Sequence, residues 1–262
     1  MKIGVKTLVL FLILISSSRA QVPPDQLKTI QDKYDHGDTM GTINGADKLI
    51  EQFPTDAGIF YLRGLAKGRR GDTLGALLDY GEAIKLQPTE VSYYLARSNL
   101  LTATERYQSA ITGYEKVIEL QPTKAEGYLG RGDVKARMKD YAGALTDLDK
   151  AIELNPKTPE PYIVRFTTMS LMGNMPGALT NADEAVKLFP SAAEVFHQRG
   201  LLKMKSGDAD AALTDLDEAI RLAPDEANCY RDRAKAKAAA GDGDGAQEDA
   251  KKYNELARAK KK

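Results

Sequence analysis

Proline stands at residues 54, 88, 122, 156, 190 and 224, so one event recurs every 34 residues along the chain. The segments running into the last five are near copies: AIKLQP, VIELQP, AIELNP, AVKLFP and AIRLAP. A period of this length belongs to a stack of small units, each too small to bury its own apolar face without a neighbour. Counting each proline as position 32 places repeat starts at 23, 57, 91, 125, 159, 193 and 227, and seven repeats occupy residues 23–260.

Each repeat reads as two helices. Position 4 is aromatic in six repeats (Phe60, Tyr94, Tyr128, Tyr162, Phe196, Tyr230), and position 20 is alanine in six (Ala76, Ala110, Ala144, Ala178, Ala212, Ala246). Apolar residues at positions 20, 21, 24, 27, 28 and 30 give the spacing of a half-buried helix. Between the two helices comes Gly71-Asp72, Gly173-Asn174, Gly207-Asp208 or Gly241-Asp242. Glycine takes the left-handed conformation that ends one helix, and Asp or Asn caps the next. Proline at position 32 stops the second helix, because the residue before it is pushed out of the helical region.

Phe60, Gly64, Ala76, Tyr80, Ala83 and Pro88 fall on the pattern W-x2-L-G-x2-Y…A-x3-F…A-x4-P, so the chain resembles the tetratricopeptide repeat family over residues 23–260. The resemblance implies an all-α fold, a right-handed α-solenoid of seven helix-turn-helix units. The terminal repeats depart from the pattern, as units with one uncovered face should. Residues 23–56 carry Gln26 and Ile30 at positions 4 and 8, and residues 227–260 end with Arg258 in place of proline. The last helix is strongly charged.

Positions 8 and 24 exchange size. Gly64 goes with Tyr80, Ser98 with Tyr114, Gly132 with Leu148 and Gly200 with Leu216, whereas Ile30, Phe166 and Ala234 go with Ala46, Ala182 and Ala250. Close-packed cores punish both voids and overfilling, so the two positions are expected to share one volume. Position 7 is Arg in six repeats (Arg63, Arg97, Arg131, Arg165, Arg199, Arg233), and position 23 is Asp79, Asp147, Asn181, Asp215 or Asp249 in five. A ladder of such pairs ties the helices at fixed geometry. The competing reading is a row of cationic hooks for an acidic partner.

By the family resemblance, first helices line a concave groove, here Tyr61, Leu65, Leu95, Asn99, Leu129, Asp133, Ile163, Thr167, His197 and Leu201. That apolar stripe with few polar fixtures suits an extended peptide or an amphipathic helix. Relatives that hold chaperone C-terminal tails use Lys at position 5 and Asn at position 9. Here those positions are Tyr61 and Leu65, Leu95 and Asn99, or Leu129 and Asp133, so the carboxylate clamp is absent.

The first twenty residues read as a secretory signal peptide: Lys2 and Lys6, an apolar run from Leu8 to Ile15, then Ser18 and Ala20 before Gln21. An uncleaved anchor is the alternative. After residue 20 no stretch has membrane length, so an exported protein without stable membrane insertion is expected, periplasmic or secreted. Basic and acidic residues balance, 37 against 37, which leaves no broad positive field for nucleic acid.

The single cysteine, Cys229, permits no internal disulfide and is expected to be semi-buried and inert. His36 is expected in an exposed turn, and His197 as a solvated groove side chain. Arg131-Gly132-Asp133 spells an adhesion tripeptide but falls inside a first helix. Residues 241–245, GDGDG, lack the alternating ligands and closing Glu of a calcium loop. No catalytic constellation, cofactor or metal site is expected. The function expected is a non-catalytic protein–protein interaction scaffold. The narrower alternative is an envelope-assembly or export factor escorting a client protein.

Overall fold

A computed structural model describes residues 22–259; the expected signal peptide lies outside the described residues. Among these the chain is entirely helical, fourteen helices in consecutive pairs with no strand. The first helices are α1 (Pro24–Asp35), α3 (Ala57–Arg69), α5 (Val91–Ala103), α7 (Ala125–Arg137), α9 (Glu160–Leu171), α11 (Ala193–Lys205) and α13 (Ala227–Ala239). Their partners are α2 (Thr39–Gln52), α4 (Thr73–Leu86), α6 (Tyr107–Leu120), α8 (Tyr141–Leu154), α10 (Met175–Leu188), α12 (Ala209–Leu222) and α14 (Gly243–Ala259). Two compact bodies divide the chain, one ending at Tyr93 and the other starting at Tyr94.

Turn chemistry sets the helix ends. Asp72, Asp140, Asn174 and Asp242 each accept a hydrogen bond from the amide three residues on, at 2.9–3.0 Å, and so cap the second helix of their pair. One residue earlier the backbone turns left-handed, at Gly37, Gly71, Gly173, Gly207 and Gly241, with φ between 81° and 91°. Glu105 and Lys139 adopt the same conformation at 59° and 65° without being glycine. A side chain there is strained by its Cβ.

In the first body Ile30, Ala46, Leu49, Ile59 and Leu62 form one buried cluster between the helix pairs. In the second, Tyr162, Phe166, Ala178, Ala182, Ala185, Val195 and Leu202 do the same. The repeated alanines Ala76, Ala110, Ala144, Ala178 and Ala212 have no exposed surface, which lets the paired helices approach closely. Tyr162 packs edge-on against Phe189 at 5.2 Å, and its hydroxyl donates to the carbonyl of Pro156. The aromatic at position 4 thereby reaches back to the proline that ended the preceding helix.

The size exchange has a direct geometric cause in three pairs. A Cβ on Gly64 would lie 2.7 Å from Tyr80 Cε1, one on Gly132 3.0 Å from Leu148 Cγ, and one on Gly200 3.1 Å from Leu216 Cγ. Phe166 and Ala182 are both wholly buried, the reverse allocation of the same space. Two pairs follow other causes. The Tyr114 hydroxyl is drawn away to Asn99 Oδ1, at 2.6 Å. Ala250, on the outer face of α14, is exposed and shares no volume with Ala234; only Asp249 is buried on that helix.

Two measurements follow. Ala182→Leu overfills the site and should lower stability by about 1–3 kcal/mol. Adding Phe166→Gly should recover part of that loss, so that thermal melts show clear non-additivity; simple addition of the two effects would refute shared volume. Lys139→Gly removes the left-handed strain and should raise stability by about 0.5–1 kcal/mol, net of the freedom glycine adds to the unfolded chain.

Candidate functional site

The first helices carry the residues expected to meet a partner. In the first body Tyr61 and Leu65 are half-buried on α3. The Tyr61 ring lies 4.9 Å from that of Tyr93 and 6.1 Å from that of Tyr80. A cleft of about 490 Å³ opens between α1 and α3, lined by Leu27, Gln31, Tyr61, Leu62, Ser92 and Tyr93. Burial pushes the Tyr93 hydroxyl up to about 12 and raises that of Tyr61 as well, so both remain protonated donors in an apolar wall.

In the second body a cleft of about 360 Å³ brings Asn99, Leu129 and Asp133 together with Thr102, Tyr114 and Arg137. Its polar groups are mutually engaged: Tyr114 donates to Asn99, and Arg137 Nε lies 2.9 Å from Asp133 Oδ2. Leu95, Ile163, Thr167 and Leu201 are half-buried and do not line this cleft. The Thr167 hydroxyl is already donated to the carbonyl of Ile163, at 2.8 Å.

His197 departs from the expectation of a solvated histidine. It is 5% exposed, with Nε2 3.0 Å from Asp232 Oδ2, one repeat further on. Asp232 is buried too and is also met by Lys235 at 2.7 Å and by Arg231. Burial alone would lower the imidazole pKa. The hydrogen bonds to Asp232 and Glu194 outweigh it and lift the value to about 9. The same neighbours hold the Asp232 carboxyl far below its usual range, against burial. The pair is a charged cross-tie between α11 and α13.

The arginine ladder is an internal structure. Arg63 makes a two-pronged contact with Asp79, at 2.9 and 2.6 Å, and its third nitrogen reaches Asp47 of the preceding repeat at 2.6 Å. Arg199 and Arg233 repeat this with Asp215 and Asp183, and with Asp249 and Asp217. Arg131 clasps Asp147. A lysine at position 11 completes each rung: Lys67, Lys135, Lys203 and Lys237 lie 2.8–3.1 Å from the same buried carboxylates. The aromatic at position 4 sits beneath the guanidinium, 5.5 Å away for Arg63 over Phe60.

Sequence reasoning missed the lysine and the acid contributed by the preceding repeat. The signal was present, since among the Arg-bearing repeats position 11 is Lys wherever position 23 is Asp and is Leu101 or Met169 where it is not. Asn181 does not join its rung: its amide donates to the Gly177 carbonyl, and Arg165 Nε is left buried without a partner.

Other candidates resolve locally. Gly132 of the adhesion tripeptide is buried in α7, and its Arg and Asp are bound to Asp147 and Arg137. Asp242 in GDGDG is a helix cap. Cys229 is 1% exposed, more buried than expected, with its thiol pushed up to about 11. Among the described residues no group of three His, Cys, Asp or Glu converges on a metal position. No described helix is long and apolar enough to cross a membrane.

Tetratricopeptide repeat profiles match residues 61–125, 95–159 and 193–226. No curated protein matches the sequence. Among solved structures, a tetratricopeptide repeat protein from Parabacteroides merdae gives a TM-score of 0.75 at 20% identity, covering 88% of this chain and 92% of that one. PilW, a type IV pilus biogenesis factor, gives 0.61 at 17% identity, covering 74% and 90%. PilF of Pseudomonas aeruginosa gives 0.57 at 17%, covering 76% and 91%. At these identities the likeness is one of fold.

The His197 tie has a pH signature. Its folded pKa lies above the ordinary value near 6.5, so its stabilisation is complete below that pH and is lost as pH rises through about 9. Wild-type stability should fall by about 2 kcal/mol more than that of His197→Gln between pH 6.5 and 9.5. Parallel curves in denaturant titrations would refute the charged tie.

Proposed function

This chain belongs to the tetratricopeptide repeat family, and from that premise we propose that it is a non-catalytic scaffold holding a segment of another protein along its first helices. Members of the family mediate protein–protein interaction. The observation that carries the reading here is the pair of clefts on the first helices, one walled by Tyr61 and Tyr93 and the other by Leu129 beside Asn99 and Asp133. Apolar surface with protonated hydroxyls accepts an extended peptide or one face of an amphipathic helix, with hydrogen bonds fixing its register. The charged groups of the four intact rungs are occupied by one another. Specificity therefore falls to the groove positions Tyr61, Leu65, Leu95, Asn99, Leu129, Asp133, Ile163, Thr167 and Leu201, with His197 acting beneath the surface.

An exported setting rests on the composition of the first twenty residues. The alternative, an envelope-assembly or export factor escorting a client, shares that setting and uses the same surface. Cross-linking in the native compartment followed by mass spectrometry separates the two by partner identity.

Leu95→Glu combined with Leu129→Glu places two charges on the groove. Affinity for the cross-linked partner should drop by at least about tenfold, with the melting temperature nearly unchanged. Full binding by that double variant would move the partner off the groove.

A further inference from the structure

The ladder lacks its acid at two repeats; at Asn181 the arginine keeps ion pairs with Asp149 and Glu184, whereas the break at residue 113 leaves donors without an acceptor. In the repeat starting at residue 91, position 23 is Gly113 where four other rungs have Asp, position 11 is Leu101 where those have Lys, and the acidic position of the preceding repeat is Gly81. Arg97 nevertheless keeps its place at position 7. It is exposed and makes no hydrogen bond or ion pair among the described residues. Beside it Ser98 is 1% exposed, and its Oγ has no hydrogen-bond partner. A cleft of about 550 Å³ lies between α5 and α6, lined by both residues with Leu101, Thr112, Gly113 and Lys116.

The intact rungs show what the cleft lacks. In three of them position 8 is Gly and in the fourth it is Ala234, and the Asp rises against it: a Cβ on Gly64 would stand 3.2 Å from Asp79 Cβ. Here the allocation is reversed, and a Cβ on Gly113 would fall onto Ser98 Oγ. A hydroxyl donor thus occupies the space of the acid's stem, next to a guanidinium with its two-pronged face unused. A buried hydroxyl without an acceptor is unfavourable, and an unpaired guanidinium is matched by a planar carboxylate.

We propose that the α5–α6 cleft binds one carboxylate, the side chain of an Asp or Glu on a partner protein, with Arg97 as its anchor and Ser98 as the second donor. Glu115 and Glu119 also line the cleft. Lys116 neutralises Glu119 at 2.6 Å, and Glu115 stands 4.0 Å from Arg131 Nη1. This acidic margin disfavours a phosphate dianion or a nucleic-acid backbone and leaves room for a single negative charge. Leu101 and the Thr112 methyl give the stem of an acidic side chain an apolar rest. The cleft shares no lining residue with the groove clefts.

The test follows the Arg97 Nε–H signal by NMR in the full chain, assigned with Arg97→Lys, during titration with N-acetyl-aspartate N-methylamide. A saturable shift is expected, with inorganic phosphate binding more weakly. The double variant Ser98→Gly with Gly113→Asp rebuilds an internal rung. It should shift the Arg97 signal without ligand and weaken probe binding by at least about tenfold. Arg97→Gln, followed through the probe's own acetyl signal, should abolish binding and covers the case in which the rebuilt rung fails to fold.

The proposal is overturned by a linear shift no larger than that of Arg106, by phosphate binding as tightly as the probe, or by unchanged binding in the rebuilt rung or in Arg97→Gln. Tighter binding of free acetate or succinate would overturn the assignment to a protein side chain. Leu95→Glu with Leu129→Glu should leave the titration intact, so failure of the groove reading and failure of this one are read separately.

Discussion

A helix pair of 34 residues cannot bury enough apolar surface against itself to stay folded, so each depends on the helices beside it. Within each body this dependence is visible in which residues are lost from solvent. Ala182 and Ala185 of α10 are sealed by Val195 and Leu202 of the next pair as much as by Phe166 of their own. The constraint reaches down to single methylene groups. Gly64, Gly132 and Gly200 exist because a tyrosine or leucine from the partner helix stands where their Cβ would be.

Polar tethering sits on top of that packing and does a different job. A carboxylate such as Asp215, 2% exposed and held by Arg199 and Lys203, gains little net stability over an apolar substitute, because desolvation offsets most of the attraction. Losing one partner, however, strands a buried charge. The rung therefore acts as a selector of geometry: paired helices with any other register leave Asp215 unanswered. The reach of each guanidinium to the preceding repeat, as from Arg199 to Asp183, extends that selection from one pair to the next.

The fold was legible because its determinants are periodic. Prolines, alanines and aromatics at fixed register report sterics, and sterics repeat with the backbone. The arginine–aspartate rungs were legible for the same reason. The lysine at position 11 and the acid at position 25 escaped because each makes sense only with a partner 12 or 16 residues away across a turn. His197 escaped on different grounds. Its position matches groove residues in other repeats, but its burial comes from Asp232, which is held by Arg231 and Lys235 and occurs in no other repeat. A non-periodic contact between first helices cannot be read from a single repeat's register.

In a repeat protein the periodic positions are committed to folding, so chemistry directed outward belongs to residues that leave the period. Departure alone is not enough. His197 and Asp232 depart, yet each satisfies the other and both close off from solvent. The repeat starting at residue 91 departs more fully, with Glu105 in a glycine's conformation, Arg106 at a cap position without a side-chain cap, and Gly113 in place of the rung's acid. What distinguishes it is the valence left over. Arg97 and Ser98 hold donors that the packing around them does not use, and a surface able to engage something else is defined by that surplus.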